Sequence, residues 1–368
     1  MLCAVILLLA VLPLPARADD YLPVTGPCNF EFPAEHGAHP GYRTEWWYYT
    51  GNLRSREGRR FGFQLTFFRS QISPPGAEKN WPHPSSAWRT QQVFLGHAAV
   101  SDIDGRRHLQ AEQAARGTLD LAGVNREGDL IRVFLKDWEA RIEPHTQQLR
   151  ADTDAFGFDL ALAPEKPPVS HGNAGYSLKG STAERASCYY SFTRLSTRGT
   201  ISIGDSRYSV EGLSWMDHEY STAPLEPGLT GWDWFGLQLS DQSEIMMYLL
   251  RQRGGGLGTA SSGSYVDANA QVRRVARTDF EVQVLDTWKS PHSGAVYPAK
   301  WRVSIAPLAL EISISPNLAD QEMRASGSEG VTYWEGSVSL RGTKAGRAVE
   351  GSGYVELTGY ARPFDALK

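Results

Sequence analysis

Short runs with apolar residues at alternate positions, each closed by Gly, Asn, Asp or Pro, recur along this chain and leave room for little besides β-strands. Phe61-Gly62-Phe63-Gln64-Leu65-Thr66-Phe67-Phe68, Thr200-Ile201-Ser202-Ile203, Glu281-Val282-Gln283-Val284-Leu285 and Leu310-Glu311-Ile312-Ser313-Ile314 carry the pattern. Successive strand side chains point to opposite faces, so this alternation builds one core face per strand. Few stretches have helical spacing. The chain therefore reads as all-β and antiparallel, with at most a few short helices such as 108–116.

The 368 residues open with MLCAVILLLAVLPLPARADD. An apolar run from Val5 to Leu14 followed by Ala16-Arg17-Ala18 is the pattern of a secretory signal cleaved after Ala18, and it falls short of the roughly 20 apolar residues a membrane span needs. The expectation is a periplasmic or secreted protein of roughly 350 residues, enough for two domains of about 100–200 residues each. The divisions expected are a signal at 1–18, a first β domain at 19–200 and a second at 201–368, each an antiparallel barrel or sandwich. A formal net charge of −4 with no basic block argues against a nucleic-acid partner. Beyond the signal only Cys28 and Cys188 remain, and sequence leaves open whether they pair.

An internal repeat supports two similar halves. TEWWYYTGNL at 44–53 aligns without a gap on TGWDWFGLQL at 230–239, with Trp46 on Trp232, Tyr48 on Trp234 and Trp47 on Asp233. Each segment leads into an apolar strand closed by arginine, at Arg69 and Arg251. A second pair of landmarks, SLKGS at 177–181 and SLRGT at 339–343, fits the same duplication at a different offset, as loop insertions would produce. Eight to ten strands per half suit the length.

The densest group of reactive side chains is GLSWMDHEYST at 212–222. As a strand it sends Trp215, Asp217 and Glu219 to one face and Met216, His218 and Tyr220 to the other, which could aim two carboxylates and an indole into one barrel interior. A carboxyl buried there without a cation would hold its proton. Trp232 and Trp234 share a face of the second tryptophan strand, and Tyr333 and Glu335 share a face in VTYWEGSVSL. Trp46 and Tyr48 take one face of the first copy, with Trp47 and Tyr49 on the other, and Arg43 and Glu45 read as a pair at its start. Aromatic residues beside acids suit an apolar ligand with one reactive point, and they equally suit packing. His36 and His39 lack further ligands at metal spacing and read as a loop pair, so no metal is expected. RQRGGGLGTASSGS at 251–264 lacks the ending of a phosphate loop, and Ser214 lacks a nucleophile elbow.

HPGYRTEWWYYTGNL, GYSLKGS, WMDHEYS, GWDWFGLQL, SPHSGAVYPAKW, ADQEM, YWEGSV and GYVELTGY, in this order from His39 to Tyr360, together resemble the AttH-like predicted secreted hydrolases, relatives of the carotenoid 1,2-hydratases. The resemblance implies two tandem lipocalin-like antiparallel β-barrels, a chemistry without cofactor that protonates and hydrates an isoprenoid double bond, and a link to an ABC-type export system of the envelope. It assigns no catalytic residue at these positions.

Two functions follow. In the first, a cofactor-free hydratase acts on a hydrophobic lipid or isoprenoid. Asp217 donates the proton, Trp215, Trp232 and Trp234 stabilise the cation, and Glu219 or His218 handles the water; Tyr333, Glu335, Trp46 and Tyr48 line the ligand. Strand alternation puts His218 on the wrong face for this unless a bulge turns it. In the second, the same lining serves a carrier that passes its ligand to an ABC-type transporter without chemistry.

Overall fold

The computed structural model describes residues 21–84, 86–223, 225–324 and 331–363, so the expected signal at 1–18 lies outside the described residues. The first sheet contains β1 (Thr44–Ser55), β2 (Arg60–Gln71), β3 (Gln92–Asp102), β4 (Arg107–Arg116), β5 (Ala122–Glu127), β6 (Leu130–Leu135), β7 (Trp138–Glu143), β8 (Thr146–Asp152), β9 (Phe156–Pro164), β10 (Val169–Ser170), β11 (Tyr176–Leu178), β12 (Ala186–Ile203) and β13 (Ser206–Ser221). The second contains β14 (Leu229–Leu239), β15 (Glu244–Gln252), β16 (Ser262–Val266), β17 (Val272–Val275), β18 (Phe280–Lys289), β19 (Val296–Ile305), β20 (Leu310–Pro316), β21 (Glu322–Met323), β22 (Tyr333–Lys344) and β23 (Arg347–Leu357). Every pairing is antiparallel, and the helical elements among the described residues are short 3₁₀ turns. The first sheet curls until β3 packs near β5 and β6, giving a nearly closed barrel, while the second is a half-barrel. The all-β, lipocalin-like expectation holds.

Several finer expectations change. Residues 108–116 belong to strand β4, whose helix-favouring Ala, Gln and Glu are overridden by pairing along β3. The division expected after residue 200 falls inside β12. There β12 and β13 form one long hairpin through Gly204-Asp205, with Gly204 at φ 53°, a value a two-residue hairpin turn requires and glycine adopts without strain. β13 pairs with β1 from Val210 to Ser221, so the chain leaves the first sheet after β13 and enters the second at β14.

Sheet order reveals how the halves correspond. From β1 the first sheet runs β13, β12, β9, β8 to one side and β2, β3, β4 to the other; from β14 the second runs β23, β22, β20, β19 and β15, β16, β17. The tryptophan strands β1 and β14 are thus equivalent, as their sequences suggest. The second landmark pair is not, because SLKGS starts in β11, a short strand lying beside β12, whereas SLRGT lies in β22, the counterpart of β12 itself.

Period two then sorts the side chains. Trp47, Tyr49 and Leu53 enter the core of the first barrel, and Phe235, Leu237 and Leu239 enter that of the second. Both interiors are filled. The opposite faces of β1 and β14 meet each other: Tyr48, Tyr189, Trp215, Trp234, Met246, Tyr248 and Tyr354 pack as one cluster between the sheets. Gly62 lets the sheets approach, since a Cβ there would stand 2.8 Å from Ser337 Cβ.

Two ties hold this arrangement. Cys28 and Cys188 are joined, fastening the N-terminal segment to β12 across a sequence separation of 160. Opening that bond is expected to cost on the order of 2–4 kcal/mol through the freed loop, measurable as a lower denaturant midpoint in reductant. Deeper between the sheets, Lys166 Nζ donates to Glu244 Oε2 at 2.8 Å and Arg194 Nε to Glu244 Oε1 at 2.6 Å, with Glu244 fully buried.

Candidate functional site

The meeting of β13 with β1 and of β23 with β14 creates two matching constellations. Tyr48 lies opposite Asp217, and its counterpart Trp234 lies opposite Glu356. One strand further on, Asp217 faces Ser191 and Glu356 faces Glu335. Because these side chains all point between the sheets, three carboxyl groups end up around one aromatic cluster. Tyr48 and Trp215 each meet the Trp234 ring edge-on, at 5.2 Å and 5.8 Å between centroids. Trp234 folds back over Gly236, where a Cβ would collide with its indole.

Asp217 accepts hydrogen bonds from Tyr189 Oη at 2.7 Å, from Trp215 Nε1 at 2.6 Å and from the Ser191 hydroxyl. Burial pushes its carboxyl up to about 7; the three donors pull the other way, and the Glu219 charge adds to the rise. Glu335 is raised well above the usual carboxylate range by burial and then by Glu356 and Asp217, against one hydrogen bond, from Tyr48 Oη at 2.8 Å. Its Oε2 is buried with no hydrogen-bond partner among the described residues. Glu356, bonded by Trp232 Nε1 at 2.9 Å, is pushed up to about 7 by burial, opposed by that bond and reinforced by Asp217, Glu219 and Asp233.

This geometry divides the roles. Asp217, pushed up to about 7, is present in both forms at neutral pH, and in its ionised form the three donors hold it ready to accept a proton. Glu335 has a free oxygen and reasons to remain protonated, so it is the better donor, a role the sequence reading gave to Asp217. Behind Asp217, His171 Nε2 lies 2.6 Å from Ser191 Oγ, and its Nδ1 lies 2.9 Å from Ser264 Oγ. Burial and then Lys179 hold His171 down to about 3, so this imidazole is neutral and each hydroxyl can turn to suit the charge on Asp217.

Most of the expected residues converge here. Trp215, Asp217, Trp232, Trp234, Tyr48, Trp46 and Glu335 all line the region between the sheets, with Trp46 and Trp232 partly buried at its edge. The expectation of a site inside one barrel is corrected: those interiors are filled, and the carboxylates face the other sheet. Glu219 shares the face but is ion-paired with Lys179 at 2.9 Å, and Lys179 also stands 4.1 Å from the Tyr248 ring centre. Tyr333 bridges the sheets at a distance from the cluster, with His97 Nδ1 at 2.8 Å and Gln64 Nε2 at 3.0 Å. His218 does not join them. No bulge turns it at its pairing with β1, and it sits on the barrel side against Trp47. Glu45 pairs with Arg69 at 2.7 Å rather than with Arg43. Sequence reasoning missed Glu356, Tyr189, Ser191, His171 and Lys179; the Glu in YVELTGY gains meaning only once β23 is matched to β13.

These raised carboxyls have a thermodynamic consequence. Asp217 moves from 3.8 to about 7, so the folded state binds its proton more tightly than the unfolded chain does. Its contribution to stability is complete below about pH 4 and is lost as pH rises through 7. Asp217→Asn is expected to flatten that decline, measured by denaturant melts at about pH 5 and about pH 8.

A nearly closed lipocalin-like barrel and a half-barrel sheet that bury a cluster of acids and aromatic rings between them define the class of fold. Within that class, the chain belongs to the AttH-like family, whose model matches residues 23–360. A crystal structure described as AttH from Nitrosomonas europaea is 33% identical and superposes with a TM-score of 0.81 over 93% of this chain and 100% of that one. Kievitone hydratase of Fusarium solani subsp. phaseoli is 22% identical over 228 residues, 57% of this chain and 59% of that relative, so the match spans less than two thirds of its length. The crystal structure of kievitone hydratase from Nectria haematococca shares the fold at 14% identity, with a TM-score of 0.67 over 94% of this chain and 97% of that one.

Proposed function

We propose that the protein is a hydratase-like enzyme that adds water to a carbon–carbon double bond of an apolar lipid or isoprenoid between its two sheets, without a cofactor. The observation that carries this reading is the set of three carboxyls, Asp217, Glu335 and Glu356, held in proton-retaining surroundings against aromatic faces. Family membership and the likeness to kievitone hydratase support it.

In this mechanism the proton on Glu335 Oε2 passes to one alkene carbon as the π bond breaks. The cation left on the other carbon lies against the faces of Trp215 and Trp234. Water adds to it, forming the C–O bond, and its proton goes to the Asp217 carboxylate. Proton return from Asp217 to Glu335 resets the site with no net change in the enzyme. The joined Cys28 and Cys188 support placement in an oxidising compartment such as the periplasm or the exterior.

The test is incubation with apolar alkenes, among them isoprenoids, unsaturated fatty acids and kievitone, in ¹⁸O-labelled water, followed by mass spectrometry. A product heavier by one labelled water supports the hydratase. A ligand that binds tightly and is recovered unchanged, with no alkene in the set hydrated, would instead make the protein a carrier.

A further inference from the structure

On the other face of β13, one residue along from Asp217, lies a second polar cluster that the proposed reaction does not use. We infer that His39, Glu45 and His218 form a binding site for one divalent first-row transition cation of the Zn²⁺ type. One ligand atom from each of the three lies within 4.8 Å of the others. Glu45 Oε1 is the meeting point, 2.7 Å from His39 Nδ1 and 2.9 Å from His218 Nε2.

The stronger argument is what holds the far side of each ligand. Metal-bound side chains are normally oriented by a partner on their second heteroatom. Here His39 Nε2 lies 3.4 Å from Glu35 Oε1, His218 Nδ1 lies 2.8 Å from Tyr190 Oη, and Glu45 Oε2 takes Arg69 Nε at 2.7 Å. Tyr190 is itself fixed by His36 Nδ1 at 2.7 Å. The rings are clamped as well, His218 on Trp47 at 4.8 Å and His39 on Tyr220 at 3.8 Å. Three donors from the loop before β1, from β1 and from β13 thus converge with their orientations already set, and a small outward movement admits an ion with bonds of about 2.0–2.2 Å. Two imidazoles and one carboxylate select Zn²⁺ or a neighbouring transition ion over Mg²⁺ or Ca²⁺. Glu35 adds a second carboxylate beside His39 and accepts from Tyr220 Oη at 2.9 Å. His39, with a side chain 22% exposed beside two fully buried ligands, marks the entry. Three protein ligands leave the remaining position to water.

The test uses tag-free full-length protein, stripped with chelator and titrated with Zn²⁺ alone. One equivalent per chain is expected. His39→Ala, at the exposed edge, should weaken binding at least about 10-fold, while His292→Ala, in a surface pair with Asp320, should leave it unchanged. Co²⁺ bound to the wild-type protein should show the visible ligand-field bands of a four-coordinate ion, much stronger than those of aqueous Co²⁺, a readout that needs no variant to fold. Absence of stoichiometric uptake, uptake indifferent to His39→Ala, or Co²⁺ without such bands would overturn the site. Binding is read without any alkene, so this outcome is separate from that of the hydratase reading.

Discussion

Replacing Glu335 by glutamine is expected to lower the rate of hydration roughly 100- to 10,000-fold, the range that loss of a positioned proton donor produces. Ligand affinity should stay within a few-fold of wild type, because glutamine keeps the volume and can still accept the 2.8 Å hydrogen bond from Tyr48. The expected signature is a fall in kcat with little change in KM, measured by product mass under single and multiple turnover. Asp217→Asn should also slow hydration, by a smaller factor if water can lose its proton to solvent. The contrast rests on one difference: Asp217 is surrounded by donors, and Glu335 has a buried oxygen without one.

Glu244→Ala is expected to cost about 3–5 kcal/mol of stability, the effect of leaving buried charges without their partner. Glu244 receives Lys166 from one side and Arg194 from the other, and Thr193 Oγ1 adds a bond at 3.2 Å. Lys166 also donates to the carbonyls of Gln242 at 2.6 Å and Asp267 at 2.7 Å, so it crosses from the first sheet to two turns of the second. Its loss should loosen the clasp between the sheets before either barrel core. Chemical denaturation should show a lower midpoint, with hydrogen exchange rising first along β14 and β15. A change of less than about 1 kcal/mol would mean that the cluster is hydrated rather than buried.

Strand alternation made much of this legible. It separated Trp46 and Tyr48 from Trp47 and Tyr49 and set Asp217 apart from His218, and the tryptophan repeat identified the two equivalent strands. Its limit is that period two names the two faces of a strand without saying which one meets a barrel core and which the other sheet. Alternation alone therefore suits a site in a barrel interior as well as one between the sheets. The domain boundary failed for a related reason: nothing in the run from Ala186 to Ser221 marks its long hairpin as belonging wholly to the first sheet, which only the pairing of β13 with β1 decides. His218 lies 173 residues from Glu45, so spacing rules for metal ligands could not bring it together with His39 and Glu45. Segment 108–116 shows propensity yielding to a neighbouring strand.

The central claim is that carboxylic acids remain protonated between the sheets at neutral pH. Infrared difference spectroscopy during a pH titration reads this directly, because a protonated carboxyl has a C=O stretch that a carboxylate lacks. The wild-type protein should retain this band at about pH 7 and lose it in steps above. Part of it should vanish in each of Glu335→Gln, Asp217→Asn and Glu356→Gln. A wild-type spectrum with no protonated carboxyl at about pH 7, or a band unchanged in all three variants, would contradict the account.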